Sequence, residues 1–219
     1  MRHFEELKLI AIKQLRKLIA GDLGSIHPKL LQYLQEEGAV QQNKLLSVKA
    51  AIALVKIGVS VERTAKLLDW KEFESLCEEI LNSHGFFTIK HVRFSFNGKR
   101  YEIDLLGLSS GVLLSIDCKK WSRARRSSLL ESALQQIERT EAFSQALPEL
   151  RRFELAIGRT ILIPMVVCWI SGGVGIFQGV PIVPLHSLNS YLTEFDPLDR
   201  EIARKEVPWE IKFSRIIQR

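Results

Sequence analysis

The chain has 219 residues, 46% of them hydrophobic, with 31 Lys plus Arg against 25 Asp plus Glu, a net charge of +6 and a pI near 9.3. That composition supports one good core plus a small second domain and excludes a disordered or low-complexity chain, while the basic balance favours a polyanion partner. The longest apolar run, 161–170, is half the roughly twenty residues that a bilayer span needs and holds Pro164, so no membrane partner is expected; three scattered cysteines without a His-x-x-x-His set exclude a structural zinc, and with no secretory pattern at the amino terminus they point to the cytoplasm.

Residues 1–69 predict a small all-α domain, because 7–20, 28–35, 45–57 and 61–69 carry apolar residues at helical spacing and Gly21, Gly24, Gly38 and Gly58 break them. Gly58-Val59-Ser60 joins the last two segments with Ser60 placed to cap the second, as in a helix-turn-helix unit. The helix 61–68 is then the recognition helix, turning Glu62, Arg63 and Lys66 outward to DNA; the competing expectation is a plain helical hairpin that packs or dimerises. Trp70 follows Asp69 directly, so the next domain begins without a linker.

In the helix 70–84, Trp70, Phe73, Cys77, Ile80 and Leu81 recur at helical spacing and Gly85 supplies the stop. Glu74 falls on the border of that apolar face, whereas Glu72, Glu78 and Glu79 are expected in solvent. The segment 100–119 reads as a β-hairpin turning near Ser110 and Gly111. Alternation puts Glu102 and Asp104 on one side of its first strand, puts Asp117 and Lys119 on one side of its second, and brings Asp104 almost opposite Asp117.

A helix follows from 129 to about 147, its face made by Leu130, Leu134, Ile137 and Phe143, with Gln135 and Gln136 near the middle. Then 161–170 reads as a buried strand, Ser171-Gly172-Gly173 as a loop, 180–185 as a short strand and 188–192 as a closing helix. Residues 70–193 thus predict an α/β/α sandwich on a mixed sheet. The remaining 194–219 form a basic C-terminal extension, a short helix and a final strand or arm that extends a DNA surface or packs across the helical domain.

Two carboxylates on adjacent strands stand roughly 5 Å apart at Cβ and repel unless a cation sits between them. Hard oxygen ligands suit Mg²⁺ or Mn²⁺, and the Cys118 carbonyl adds another oxygen to Asp104 and Asp117. Lys119 beside a metal-bound water orients it and offsets charge developing on a phosphorus centre. Glu74 reaches over the sheet edge to extend the metal shell, and Glu102 is an acid placed to act on a ligand rather than on the metal itself. The basic run Lys119-Lys120-Trp121-Ser122-Arg123-Ala124-Arg125-Arg126 follows at once, so Lys120, Arg123, Arg125 and Arg126 join Arg63 and Lys66 as candidate phosphate contacts.

A helix with Phe73-Glu74, a strand with Glu102-Ile103-Asp104 and a strand ending Asp117-Cys118-Lys119, in that order, resemble the PD-(D/E)XK nuclease superfamily. Within it the chain looks most like Mrr-like restriction endonucleases, RecB-type nuclease domains and archaeal Holliday junction resolvases. The resemblance implies a restriction-endonuclease-like fold over 70–192, with Asp104 and Asp117 as metal ligands, Lys119 as catalytic lysine and Glu74 as helix-borne glutamate. It also brings Gln136 near the site, since members carry a Gln or basic residue on that helix. The expected function is Mg²⁺-dependent hydrolysis of DNA phosphodiester bonds in repair, recombination or restriction, by an endonuclease rather than an exonuclease. Junction resolution would add a homodimer with two sites. The alternative is a DNA-binding or assembly protein that keeps the fold without turnover.

Overall fold

The computed structural model describes residues 2–121, 124–169 and 174–213. The chain divides into two compact units, Met1–Leu76 with Lys120–Arg123 and Trp169–Ser171, and Cys77–Lys119 with Ala124–Cys168 and Gly172–Arg219.

The first unit contains α1 (Arg2–Ile19), α2 (Pro28–Glu36), α3 (Ser47–Lys56), α4 (Val61–Thr64) and the start of α5 (Trp70–Ser83). Gly21, Gly38, Gly58 and Gly85 end helices by one mechanism, whereas Gly24 lies inside a 3₁₀ turn over Leu23–Ser25. At the end of α3, Gly58 adopts φ +85° and donates to Val55 O while Val59 donates to Leu54 O, a Schellman pair that satisfies two otherwise unpaired carbonyls. Gly21, Gly38 and Gly85 repeat the pattern after α1, α2 and α5.

Four expectations for this unit are corrected. It is not purely helical, because β1 (Val40–Gln41) and β2 (Lys44–Leu45) form a hairpin whose turn residues Gln42 and Asn43 both have positive φ. The segment 61–68 is one α-helical turn, α4, followed by a 3₁₀ turn over Ala65–Leu67, with Val61, Thr64 and Leu67 buried and Arg63 and Lys66 exposed. Ser60 caps nothing with its side chain; its carbonyl accepts from Arg63 N and Thr64 N. The effective cap lies later, where Asp69 Oδ1 accepts from Glu72 N at 3.0 Å to start α5. Glu72, expected in solvent, turns back to accept from Ser47 Oγ (2.9 Å) and Val48 N (3.3 Å) at the start of α3.

The second unit is a mixed α/β sandwich. Its seven-stranded sheet runs in the order β3 (Phe87–Phe96), β4 (Lys99–Ser109), β5 (Val112–Lys119), β6 (Phe153–Cys168), β8 (Val180–Pro184) and β7 (Gly175–Phe177), with β9 (Lys205–Phe213) paired to the first half of β6. The strands β3, β4 and β5 form an antiparallel meander, and β5 connects through α6 (Arg126–Ala146) to β6 in parallel. The β4–β5 turn is where the sequence puts it, with Ser110 at φ +45° and Gly111 at φ +77°. Helices cover both faces. Gln136 of α6 bonds Ser115, whereas a Cβ on Gly107 would meet Leu81 of α5 and the adjacent Phe86; Ser115 pairs with Leu106, next to Gly107, so the two helices lie on opposite sides. On the α6 side, Phe94, Phe143 and Phe153 meet edge to face in a cluster with Val92, Ile103, Leu106 and Leu113.

The predicted strand 161–170 begins eight residues earlier, at Phe153, and Ile170 through Gly173, which hold the expected glycine loop, lie outside the described residues. Pro164 sits inside this strand at no loss. On one edge β6 pairs with β9 as far as Leu162 and with β8 from Val166 onward, so the proline occupies the gap between them, where no ladder hydrogen bond is missing. The tail is likewise not an appendage, because Lys205–Phe213 completes this sheet as β9. After β8 comes the predicted closing helix, α7 (Leu188–Thr193). Among the described residues no helix is long and apolar enough to cross a membrane.

Candidate functional site

The β4–β5 ladder ends at Leu105 opposite Ile116. Continued by one residue, its register sets Asp104 opposite Asp117, as the sequence predicts. There the backbones stop pairing, and Asp104 Oδ2 accepts instead from Cys118 N at 2.8 Å. The amide and carbonyl of one strand residue leave the same edge, so the Cys118 carbonyl also faces the β4 side, where the ladder has opened.

Strict alternation breaks at the same level. Asp104 and His91 are the one position skipped within the β3–β4 register, and His91 has φ +53°. The buried phase shifts there: Ile89 pairs with Leu106 and Val92 with Ile103, and all four join the same cluster although each strand's two members are three residues apart. Glu102 and Asp104 therefore do not simply share a face. Glu102 lies opposite Arg93 and is held by its guanidinium at 3.0 and 3.4 Å, with His91 Nδ1 3.3 Å away. The hydrogen bond from Arg93 holds the Glu102 carboxyl below the usual carboxylate range.

Asp117 is 4% exposed at the end of β5, and both of its oxygens meet cations. Lys119 Nζ lies 2.9 Å from Oδ2, and Arg139 Nη1 of α6 lies 2.8 Å from Oδ1. The same guanidinium donates to Gln136 Oε1 at 2.5 Å, and Gln136 Nε2 donates to Ser115 O (2.6 Å) and Ser115 Oγ (3.0 Å). A closed circuit of polar contacts thus runs from Ser115 through Gln136 and Arg139 back to Asp117, two residues along the same strand.

This circuit explains why α6 departs from its predicted face. Leu130 and Leu134 are exposed, while Gln136 and Thr140 are buried beside Ala133 and Phe143. The helix packs over a sheet face that carries Ser115 and Asp117, so Gln136 and Arg139 turn inward to meet them, whereas the buried Thr140 hydroxyl has no hydrogen-bond partner there. Gln136 was expected near the site and is there. Arg139 was not singled out, although its spacing of three residues from Gln136 put it on the same helix face.

The other candidate residues are distributed more widely. Glu74 lies in the first unit, on the first half of α5, and is 3% exposed. Glu78, on the second half of α5, pairs with Lys90 at 2.6 Å rather than facing solvent alone. Lys120 also belongs to the first unit, where its ammonium donates to the Leu68 carbonyl. Arg63 and Lys66 are exposed there, and Arg125 and Arg126 are exposed where α6 begins. Arg123 lies outside the described residues.

Asp104, Asp117 and the Cys118 carbonyl are hard oxygen donors of the type that Mg²⁺ or Mn²⁺ takes. Among the described residues no three His, Cys, Asp or Glu side chains gather in one place. A cation here would complete its shell with peptide oxygen, water and phosphate, as Mg²⁺ commonly does.

No family model matches the chain. An uncharacterized protein from Archaeoglobus fulgidus is 34% identical over 126 residues, covering 57% of this chain and 89% of that protein. Among solved structures, protein VC1899 from Vibrio cholerae aligns at 12% identity with a TM-score of 0.32, over 88% of this chain; the chain spans 54% of that protein.

Proposed function

The chain belongs to the family of the uncharacterized Archaeoglobus fulgidus protein, and from the geometry of its site we propose that it is a metal-dependent DNA nuclease of the restriction-endonuclease-like, PD-(D/E)XK kind. The observation that carries the proposal is the opening of the β4–β5 ladder, with Asp104 and Asp117 opposite one another and Lys119 on Asp117. A purely structural hairpin has no need of two acids at adjacent cross-strand positions, where they repel.

Asp104, Asp117 and the Cys118 carbonyl would hold Mg²⁺ or Mn²⁺. When bound, the ion supplies Lewis-acid charge to a phosphoryl oxygen and lowers the pKa of its water. Lys119, steered by Asp117, holds the attacking water in line and offsets charge developing on the phosphorus. The exposed Arg125 and Arg126 neutralise flanking phosphates, which makes binding weaken with salt.

One observation favours the alternative of a DNA-binding or assembly protein without turnover: Lys119 and Arg139 already satisfy both oxygens of Asp117. A single assay separates the two. Wild type and K119A are incubated with labelled duplex, single strand, flap and four-way junction at low salt, with Mg²⁺, Mn²⁺ or chelator. Metal-dependent cutting by wild type that K119A loses, with its circular dichroism unchanged, is the expected result. Salt-sensitive binding with no cutting under any metal would replace the nuclease with the binding module.

A further inference from the structure

The polar circuit on α6 leaves one residue with no role in the mechanism above. Arg139 contributes a full charge to a nearly buried carboxylate, and Lys119 already contributes another. Asp117 thus meets two cationic side chains before any divalent cation arrives. We propose that Arg139 is a positioning residue that serves as the internal counter-ion of Asp117 and sets the threshold for divalent-cation binding. The inference rests on the nuclease reading and deepens it by naming how the same site is regulated.

Three features support it. Oxygen Oδ1 of Asp117 faces Arg139 at 2.8 Å, so a cation taking that oxygen competes directly with the guanidinium. Arg139 is held in register from behind, through Gln136 Oε1, and Gln136 is itself anchored on Ser115. The guanidinium is therefore aimed at the carboxylate rather than wandering onto it, and little ordering entropy is lost when the pair forms. Finally, the side chain of Arg139 is 19% exposed against 5% for Asp117, so the arginine has room to move toward solvent or a phosphate when a cation displaces it, while the aspartate stays in place.

The role differs from that of Lys119. Lys119 pairs with the other oxygen, Oδ2, and also orients water, so removing it lowers turnover whatever it does to cation affinity. Removing a counter-ion that competes with the metal raises cation affinity and weakens the cation-free fold, since a buried carboxylate is left with one partner instead of two.

The test is Mn²⁺ binding to the full chain, read by electron paramagnetic resonance of free Mn²⁺, together with the melting temperature in chelator and in saturating Mn²⁺. The proteins are wild type, R139Q, R139K and D104N. In R139Q, Mn²⁺ is expected to bind about tenfold tighter than in wild type, the size expected when one charge-assisted hydrogen bond no longer competes. Its melting temperature falls in chelator and recovers in Mn²⁺ by more than that of wild type. R139K, which keeps the charge but not the planar fork, lies between the two, and D104N loses binding. If R139Q does not fold, R139K decides: tighter binding than wild type supports the inference, and equal or weaker binding overturns it. Wild type that binds Mn²⁺ while R139Q binds it equally or more weakly overturns the counter-ion role and leaves the nuclease reading standing. Folded wild type and R139Q that both fail to bind Mn²⁺ overturn both.

Discussion

Replacing Gln136 with Leu keeps the side-chain volume nearly constant and removes only polar contacts, which isolates the part of the fold that α6 holds by hydrogen bonding. Gln136 is 0% exposed, so water does not substitute for what is lost. Two neutral bonds disappear, to Ser115 O and Ser115 Oγ, at about 1 kcal/mol each. The third, from Arg139, is charge-assisted, but Arg139 keeps Asp117 and some solvent, which discounts its loss to about 1 kcal/mol. Q136L should therefore lose about 3 kcal/mol. For a chain of this size that is a fall of roughly 6–12 °C in the calorimetric melting temperature, with a matching loss in urea unfolding. A double-mutant cycle with Ser115→Ala tests the assignment further, since the two changes should cost less together than their sum by about 0.5–1 kcal/mol. A loss below about 1 kcal/mol, or strict additivity, would refute the claim that this circuit ties helix to sheet.

Two further predictions concern positions away from the circuit. Gly179 has φ +80°, and a Cβ there would lie 2.7 Å from Ala203 N and 2.8 Å from Ala203 Cβ, whereas at Gly21, φ +69°, nothing lies within 4 Å. Urea titration should show G21A losing about 1 kcal/mol from backbone strain alone and G179A losing at least about 3 kcal/mol, because the strain is joined by overpacking; equal losses would remove the steric part. Glu102 has a folded-state pKa lowered below the ordinary 4.5 by Arg93, so its contribution is present above that value and is lost as the pH falls through the lower, folded one. Melting temperatures measured from pH 6 down to pH 3 should fall slightly more for wild type than for E102Q; the carboxylate is 38% exposed, which limits the difference to under about 1 kcal/mol. A steeper fall in E102Q would reverse the sign of that contribution.

Much of the local architecture is readable from the chain alone. Helix stops at Gly21, Gly38, Gly58 and Gly85, the turn at Ser110 and Gly111 and the β4–β5 register that brings Asp104 opposite Asp117 follow from glycine's access to positive φ and from the turn position, whereas the alternation that puts Glu102 and Asp104 on one face is broken by the skip at His91. These are short-range properties, decided within a few residues. Apolar runs likewise mark the central strands, because a strand covered on both faces must be apolar throughout.

What the tertiary structure decided is long-range. The face of α6 could not be read from its own leucines, since which side is buried depends on what the sheet offers. Here the sheet offers Ser115 and Asp117, so Gln136 and Arg139 turn inward and Leu134 turns out. Pro164 is compatible with a central strand only because β8 and β9 leave a gap beside it, and β9 comes from forty residues further along the chain. The amino acids by themselves specified which acids and which lysine share a strand end, because period and register are local. The partner that neutralises them is set by packing, because a charge leaving water takes its counter-charge from whatever element the fold brings within about 3 Å.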